Sequence, residues 1–227
     1  MLIFEVVLVC NRFLMRILGL NMPLLFVLVM LDFIFQFNLN MNKTQARSLY
    51  KKLRMKLSSN EVQKKSLAIA NQLLQLNIWN KTYYHLFLPI EEQNEINTEY
   101  IITLLQAKDK EIVISKSNFE TTSMQHFLLT DSTKIKKNSY NIPEPIEGVE
   151  VPIDKIEVIF IPLLAYDKHG NRVGYGKGFY DTFLSQCKSD TLKIGLSFFN
   201  PEEKIEPTLP SDVKLDLVVT DNQIFYF

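Results

Sequence analysis

The spacing of apolar residues changes repeatedly between Met41 and Phe227, which marks an alternation of helices and strands. Lys43 to Lys56 is polar and rich in helix formers, with Ala46, Leu49, Leu53 and Leu57 spaced as one face, so a helix is predicted there. Ser58-Ser59-Asn60-Glu61 has the form of a capping box and opens a second helix. In it Val62, Ile69, Leu73 and Leu76 share one side, with Leu67, Ala70 and Leu74 beside them. Tyr83 to Leu88 is aromatic and apolar and stops at Pro89, as a strand does. Asn97 or Thr98 can cap a short helix over Tyr100 to Ala107. Ile112 to Ile114 and Met124 to Leu129 read as short strands, and Asn138 to Pro152, rich in Pro and Glu, as a loop. Ile156 to Pro162 is a nearly continuous apolar run, the pattern of a strand buried on both faces. A helix over Gly178 to Cys187 follows, then strands over Leu192 to Ser197, Leu215 to Thr220 and Ile224 to Phe227. Strands interleaved with helices indicate an α/β fold, a three-layer α/β/α sandwich around a mostly parallel sheet.

The first forty residues follow a different pattern. Their only charges are Glu5, Arg12, Arg16 and Asp32, and the run from Ile17 to Leu31 is uncharged behind two arginines. One reading is a signal-anchor or short membrane helix, although the uncharged run is short for a span. The other, which we prefer, is a start assigned too early, because Met41 opens MNKTQARSLYKKLR as a soluble protein can begin. On either reading residues 1–40 are an extension and residues 41–227 the functional domain. Attachment to a membrane is expected only if the extension is made; the expected location is otherwise the cytoplasm.

Composition narrows the partners. Lys+Arg and Asp+Glu are both 25, which argues against a protein held to nucleic acid by bulk charge. Hydrophobic content of 47% over 227 residues supplies a sizeable core for one domain. Cys10 and Cys187 form neither a disulfide framework nor a metal cluster, which fits a reducing compartment. A monomer acting on a small molecule is expected.

The candidate chemistry lies in glycine. Of the seven glycines, four fall between Gly170 and Gly178, and none occurs between Gly19 and Gly148. Such a cluster suits a bare, bent backbone whose N–H groups, beside Arg172 and Lys177, can seat phosphate. Asp181 just beyond can hold a divalent cation. The run is not a Walker A loop, since position 171 is Asn171 and the residue after Lys177 is Gly178. Nor is it a dinucleotide fingerprint, since Phe179 stands where the third glycine belongs. A plain tight turn with its charges in water remains the alternative at this level.

The exact string narrows the choice. Asp167 to Asp181, D-K-H-G-N-R-V-G-Y-G-K-G-F-Y-D, resembles the signature of the 5-formyltetrahydrofolate cyclo-ligase family, also called methenyltetrahydrofolate synthetases. Lys43-Thr44-Gln45-Ala46-Arg47 is similar to the family's N-terminal K-x-x-x-R, and Asn94-Glu95-Ile96-Asn97-Thr98 to its segment after the first strand. Tyr140-Asn141-Ile142-Pro143-Glu144-Pro145 and Pro210-Ser211-Asp212-Val213-Lys214-Leu215-Asp216 resemble its N-I-P-x-P loop and its acidic end. The resemblance runs from Met41 to about Thr220 and leaves residues 1–40 without a counterpart.

The resemblance implies an ATP- and Mg²⁺-dependent closure of 5-formyltetrahydrofolate to 5,10-methenyltetrahydrofolate through a phosphorylated formyl group, releasing ADP and phosphate. It also implies a fold like that of ribose-5-phosphate isomerase and the CoA transferases. Lys43, Arg47 and the run Arg172, Val173, Gly174, Tyr175, Gly176, Lys177, Gly178, Phe179 and Tyr180 are implied to hold ATP, with Arg172 and Lys177 neutralising charge in the transition state. Leu88, Glu95, Tyr140, Tyr175, Gly176, Lys177, Gly178 and Phe179 are implied to hold the folate, and Asp181 and Asp212 the magnesium. By residue type alone, other roles stay open. Lys43 and Arg47 can belong to a solvated basic face with Lys51, Lys52 and Arg54, and Glu95 can be a surface acid. Asp181 can be a helix cap, and Asp216 competes with Asp212. His85 and His126 receive no role. A nucleotide- or sugar-phosphate-binding protein of the same fold, without the folate reaction, is the rival function.

Overall fold

The computed structural model describes residues 40–227, so the expectations for residues 1–39 lie outside the described residues. Met41–Phe227 forms one compact unit. Its centre is a sheet of seven strands: β1 (Tyr83–His85), β2 (Glu111–Asn118), β3 (Ser123–Leu128), β4 (Val158–Pro162), β5 (Leu192–Leu196), β6 (Leu217–Val219) and β7 (Ile224–Tyr226). They lie in the order β7-β6-β5-β4-β1-β2-β3. The five strands from β6 to β2 are parallel, and β7 and β3 close the edges as antiparallel partners. Tyr84 sits opposite both Ile112 and Val158, and Ile194 opposite both Phe160 and Leu217.

Among the described residues four helices accompany the sheet: α1 (Lys43–Met55), α2 (Ser59–Leu73), α3 (Glu99–Gln106) and α4 (Phe179–Ser185). Strand β4 shows why both sheet faces must be covered, because successive side chains point to opposite sides. Val158 and Phe160 join Tyr84, Ile112 and Ile194 against Ile69 and Leu73 of α2 and Ile101 and Leu105 of α3. Ile159 and Ile161 join Val113 and Val218 against Phe183 and Leu184 of α4. The chain thus winds away from β1 and β4 in two directions, to β2 on one side and to β5 and β6 on the other. A crevice is left at the carboxyl ends of β1 and β4, where sheets of this kind bind ligands.

Ser58 and Glu61 form the expected reciprocal cap on α2. The buried face of α1 departs from the predicted one: Leu49 is 40% exposed, whereas Tyr50 and Arg54 are buried with Ala46. The helix is turned to rest Ala46 and Tyr50 on Leu164, Ala165, Val173 and Ile205. On α2, Leu67 and Leu74 are exposed, and Ser66 is buried because its hydroxyl donates to the Val62 carbonyl and accepts from the Asn97 N–H. The expected loop from Asn138 to Pro152 contains a short strand, Pro143–Pro145, paired antiparallel with Ile135–Lys137. Two prolines hide it from sequence patterning, yet they are tolerated at an edge where the missing N–H is not needed.

Candidate active site

A cleft of about 820 Å³ opens at the carboxyl ends of β1 and β4. Lys43, Arg47, Leu88, Glu95, Tyr140, Arg172, Asp212 and every residue from Gly174 to Asp181 line it. Val173 does not. It follows Arg172 in a two-residue strand, so its side chain points the other way and is buried with Ala46 and Leu164. Its carbonyl is also taken, accepting from the Leu164 N–H at 2.9 Å. The side chain of Val173, implied to hold ATP, instead supports the loop from behind.

The glycine loop is bent as its composition requires. Gly176 has φ +84°, and a Cβ there would lie 2.9 Å from the Arg47 guanidinium. Arg47 Nε in turn donates to the Gly174 carbonyl at 3.1 Å, so α1 braces the loop. Gly178, also left-handed, starts α4 as its N-cap. Asp181 makes no cap; its carboxylate takes a hydrogen bond from Arg172 Nη2 at 2.5 Å, while Arg172 Nη1 donates to the Val213 carbonyl. Across the cleft Lys43 pairs with Asp212, whose carboxylate also accepts from the Leu209 N–H at 2.7 Å. Burial works to raise the Asp212 carboxyl. The bonds from Lys43 and Leu209, with the Lys43 and Arg172 charges, hold it below its ordinary value. Asp216 is turned to the Lys193 N–H and ammonium and does not line the cleft.

Glu95 is no surface acid. It is 6% exposed, and its two oxygens accept from the Tyr175 hydroxyl at 2.6 Å and the Ile90 N–H at 2.8 Å. Arg54 Nη1 lies 3.8 Å from the same carboxylate, and Arg54 Nη2 donates to the Tyr175 hydroxyl. Burial raises the Glu95 carboxyl above its ordinary value, against the pull of Arg54 and the two hydrogen bonds. Asn94, in the left-handed region at φ 48°, donates to the Arg54 and Leu57 carbonyls and fastens this loop to the end of α1. At the mouth, Tyr140 is 54% exposed and stacks on Phe119 with ring centroids 4.3 Å apart, while Phe179 meets Phe119 edge-on at 4.9 Å.

The family model described as the 5-formyltetrahydrofolate cyclo-ligase family matches residues 40–221. The chain belongs to the 5-formyltetrahydrofolate cyclo-ligase family. A 5-formyltetrahydrofolate cyclo-ligase of Mus musculus is 31% identical over 198 residues, covering 81% of this chain and 95% of that protein. A solved 5,10-methenyltetrahydrofolate synthetase of Aquifex aeolicus is 25% identical with a TM-score of 0.67, over 81% of this chain and 92% of that one. A second, from Mycoplasma pneumoniae, shares the fold at 24% identity and a TM-score of 0.64, over 80% of this chain and 100% of that one.

The donor set suits a magnesium–nucleotide pair in such a cyclo-ligase. Among the described residues no three His, Cys, Asp or Glu side chains gather into a metal cage. Asp181 and Asp212 on one cleft instead offer the one or two carboxylates that Mg²⁺ takes when phosphate and water complete its shell. Three features in and behind this cyclo-ligase cleft escape sequence reasoning. Arg54 reads as part of a solvated basic face yet is buried behind the cleft against Glu95 and Tyr175; Phe119, which carries no motif, and His85, brought beside Ser115, line the cleft itself. The residue pattern alone holds no signal for them, because each acquires its neighbour only through sheet pairing or loop packing.

Proposed function

We propose that the chain closes 5-formyltetrahydrofolate to 5,10-methenyltetrahydrofolate at the expense of ATP, releasing ADP and phosphate. One observation carries this reading: the bent glycine loop, flanked by Arg47, Arg172 and Lys177, shares a single cleft with the buried Glu95 carboxylate and the aromatic mouth. Bound ATP supplies the phosphoryl group that turns the formyl oxygen into a leaving group, so that N10 can close the ring as phosphate departs. Lys43, Arg47, Arg172 and Lys177 bind the phosphates, with Arg172 and Lys177 matching charge as it moves. Asp181 and Asp212, which pair here with Arg172 and Lys43, would hold Mg²⁺, and the metal would supply positive charge to neutralise the phosphates. Glu95, with Leu88, holds the pterin, its carboxylate accepting from the ring's N–H donors, and Tyr140 and Phe179 cover the flat rings.

Residues 41–227 are the cyclo-ligase domain in this reading, with a fold of the ribose-5-phosphate isomerase and CoA transferase kind. The protein acts as a monomer in the cytoplasm, a reducing compartment that its two cysteines fit. The full chain, given 5-formyltetrahydrofolate, ATP and Mg²⁺, is expected to build the near-ultraviolet chromophore of the conjugated product. Lys177→Ala and Asp181→Ala are each expected to slow turnover about 10²–10³-fold with the fold intact. A folded wild-type chain that forms no chromophore rejects the assignment.

A further inference from the structure

Three neighbouring strands set His85, Ser115 and His126 in a row. His85 ends β1, Ser115 lies in β2, and His126 in β3 is the register partner of Ser115. His85 Nε2 is 2.7 Å from Ser115 Oγ, and that oxygen is 2.9 Å from His126 Nδ1. Both rings are buried, at 1% and 4% exposure, and pack on Phe183 with centroids 4.9 and 4.2 Å away. Tyr180, on the same face of α4 as Phe183, also meets His85 edge-on, with centroids 6.1 Å apart. The outer nitrogens, His85 Nδ1 and His126 Nε2, are buried without a hydrogen-bond partner among the described residues. Burial keeps both rings neutral, holding His85 well below its ordinary range and His126 at about 4.

A neutral imidazole has one N–H and one bare nitrogen, and a serine hydroxyl has one proton and two lone pairs. If Ser115 donates to either ring, that ring must carry its N–H on the outer nitrogen, where nothing accepts it. An orphaned buried N–H costs about 1–3 kcal/mol, and such groups are rarer than under-satisfied acceptors. One arrangement leaves no N–H orphaned. His85 carries its proton on Nε2 and His126 on Nδ1, and both donate to Ser115 Oγ. The lone pairs of the serine are then filled, and its own O–H has no acceptor among the described residues. Ser115 and His85 line the cleft, so the cleft is where that proton is left to point.

We infer that Ser115 is a substrate-binding donor, giving its hydroxyl proton to a carbonyl oxygen of the folate, with His85 and His126 as the positioning residues that aim it. Two incoming N–H bonds polarise the hydroxyl and strengthen it as a donor. The identity of the ligand rests on the function proposed above; the direction of the hydrogen bonds does not. Imidazole ¹⁵N spectra of the ligand-free full chain decide the direction. The expected result is an Nε2–H tautomer for His85 and an Nδ1–H tautomer for His126; a proton on either outer nitrogen overturns the inference. Calorimetric titration decides the ligand contact. Ser115→Ala is expected to weaken 5-formyltetrahydrofolate binding about tenfold and leave ATP binding unchanged. His126→Asn, whose amide replaces the Nδ1 donor, retains affinity, whereas His126→Leu loses it. Unchanged folate affinity in a folded Ser115→Ala chain also overturns the inference. A wild-type chain that binds no folate defeats the proposed function instead, and the tautomer spectra still decide this one.

Discussion

Arg54 and Glu95 show how much a single residue's role depends on company it meets far along the chain. Their side chains are 5% and 4% exposed, and Tyr175 joins them from 121 residues beyond Arg54. A lone buried charge is costly, so each of the three is tolerated because the others are present. Glu95 was legible as a ligand candidate through its motif, but its burial was not, since it stands after the acidic pair Glu91-Glu92. Arg54 sits among Lys51, Lys52 and Lys56, and nothing in that run separates the one buried cation from its neighbours. Arg54→Met is expected to lower unfolding stability by about 3–5 kcal/mol, because it leaves the buried Glu95 carboxylate without its cation. In urea unfolding, Arg54→Met combined with Glu95→Gln should cost clearly less than the sum of the two single changes.

At the scale of elements, the parallel strands were the most legible part, because burial on both faces writes a continuous apolar run. Val158–Pro162 and Leu192–Leu196 fall inside the predicted segments. β2 was predicted too short: it runs eight residues, to Asn118, because its outer half carries polar side chains into the cleft wall. Gly195 in β5 marks a close approach that no local pattern announces. A Cβ there would lie 2.5 Å from Leu163 Cδ1 and 2.8 Å from Val218 Cγ2. Gly195→Ala is expected to cost about 1–3 kcal/mol by overpacking, read as a lower midpoint in thermal unfolding. Gly195 does not line the cleft, so turnover per folded molecule should stay at the wild-type value.

For the molecule as a whole, the two buried histidines tie stability to pH. Unfolded, His126 titrates near 6.5; folded, burial holds it at about 4. As pH falls between those values the unfolded chain gains a proton that the native chain refuses, so stability drops, and the loss levels off below about 4. His85, also depressed by burial and by His126, acts in the same direction. Replacing His126 with Asn should remove about 2–3 kcal/mol of the acid-side loss, measured as urea stability at about pH 7.5 and about pH 4.5. The amino-acid sequence by itself determined the alternation of helices and strands, the bent glycine loop and the family, because periodicity, caps and glycine act within a few residues of themselves. Only the tertiary structure decided which face of α1 is buried, that Val173 turns away from the cleft, and that Phe119, His85 and Ser115 line it with Arg54 and His126 buried behind them. Those pairings depend on which strands and loops end up adjacent, and sheet order is a property of the packed chain that no local spacing encodes.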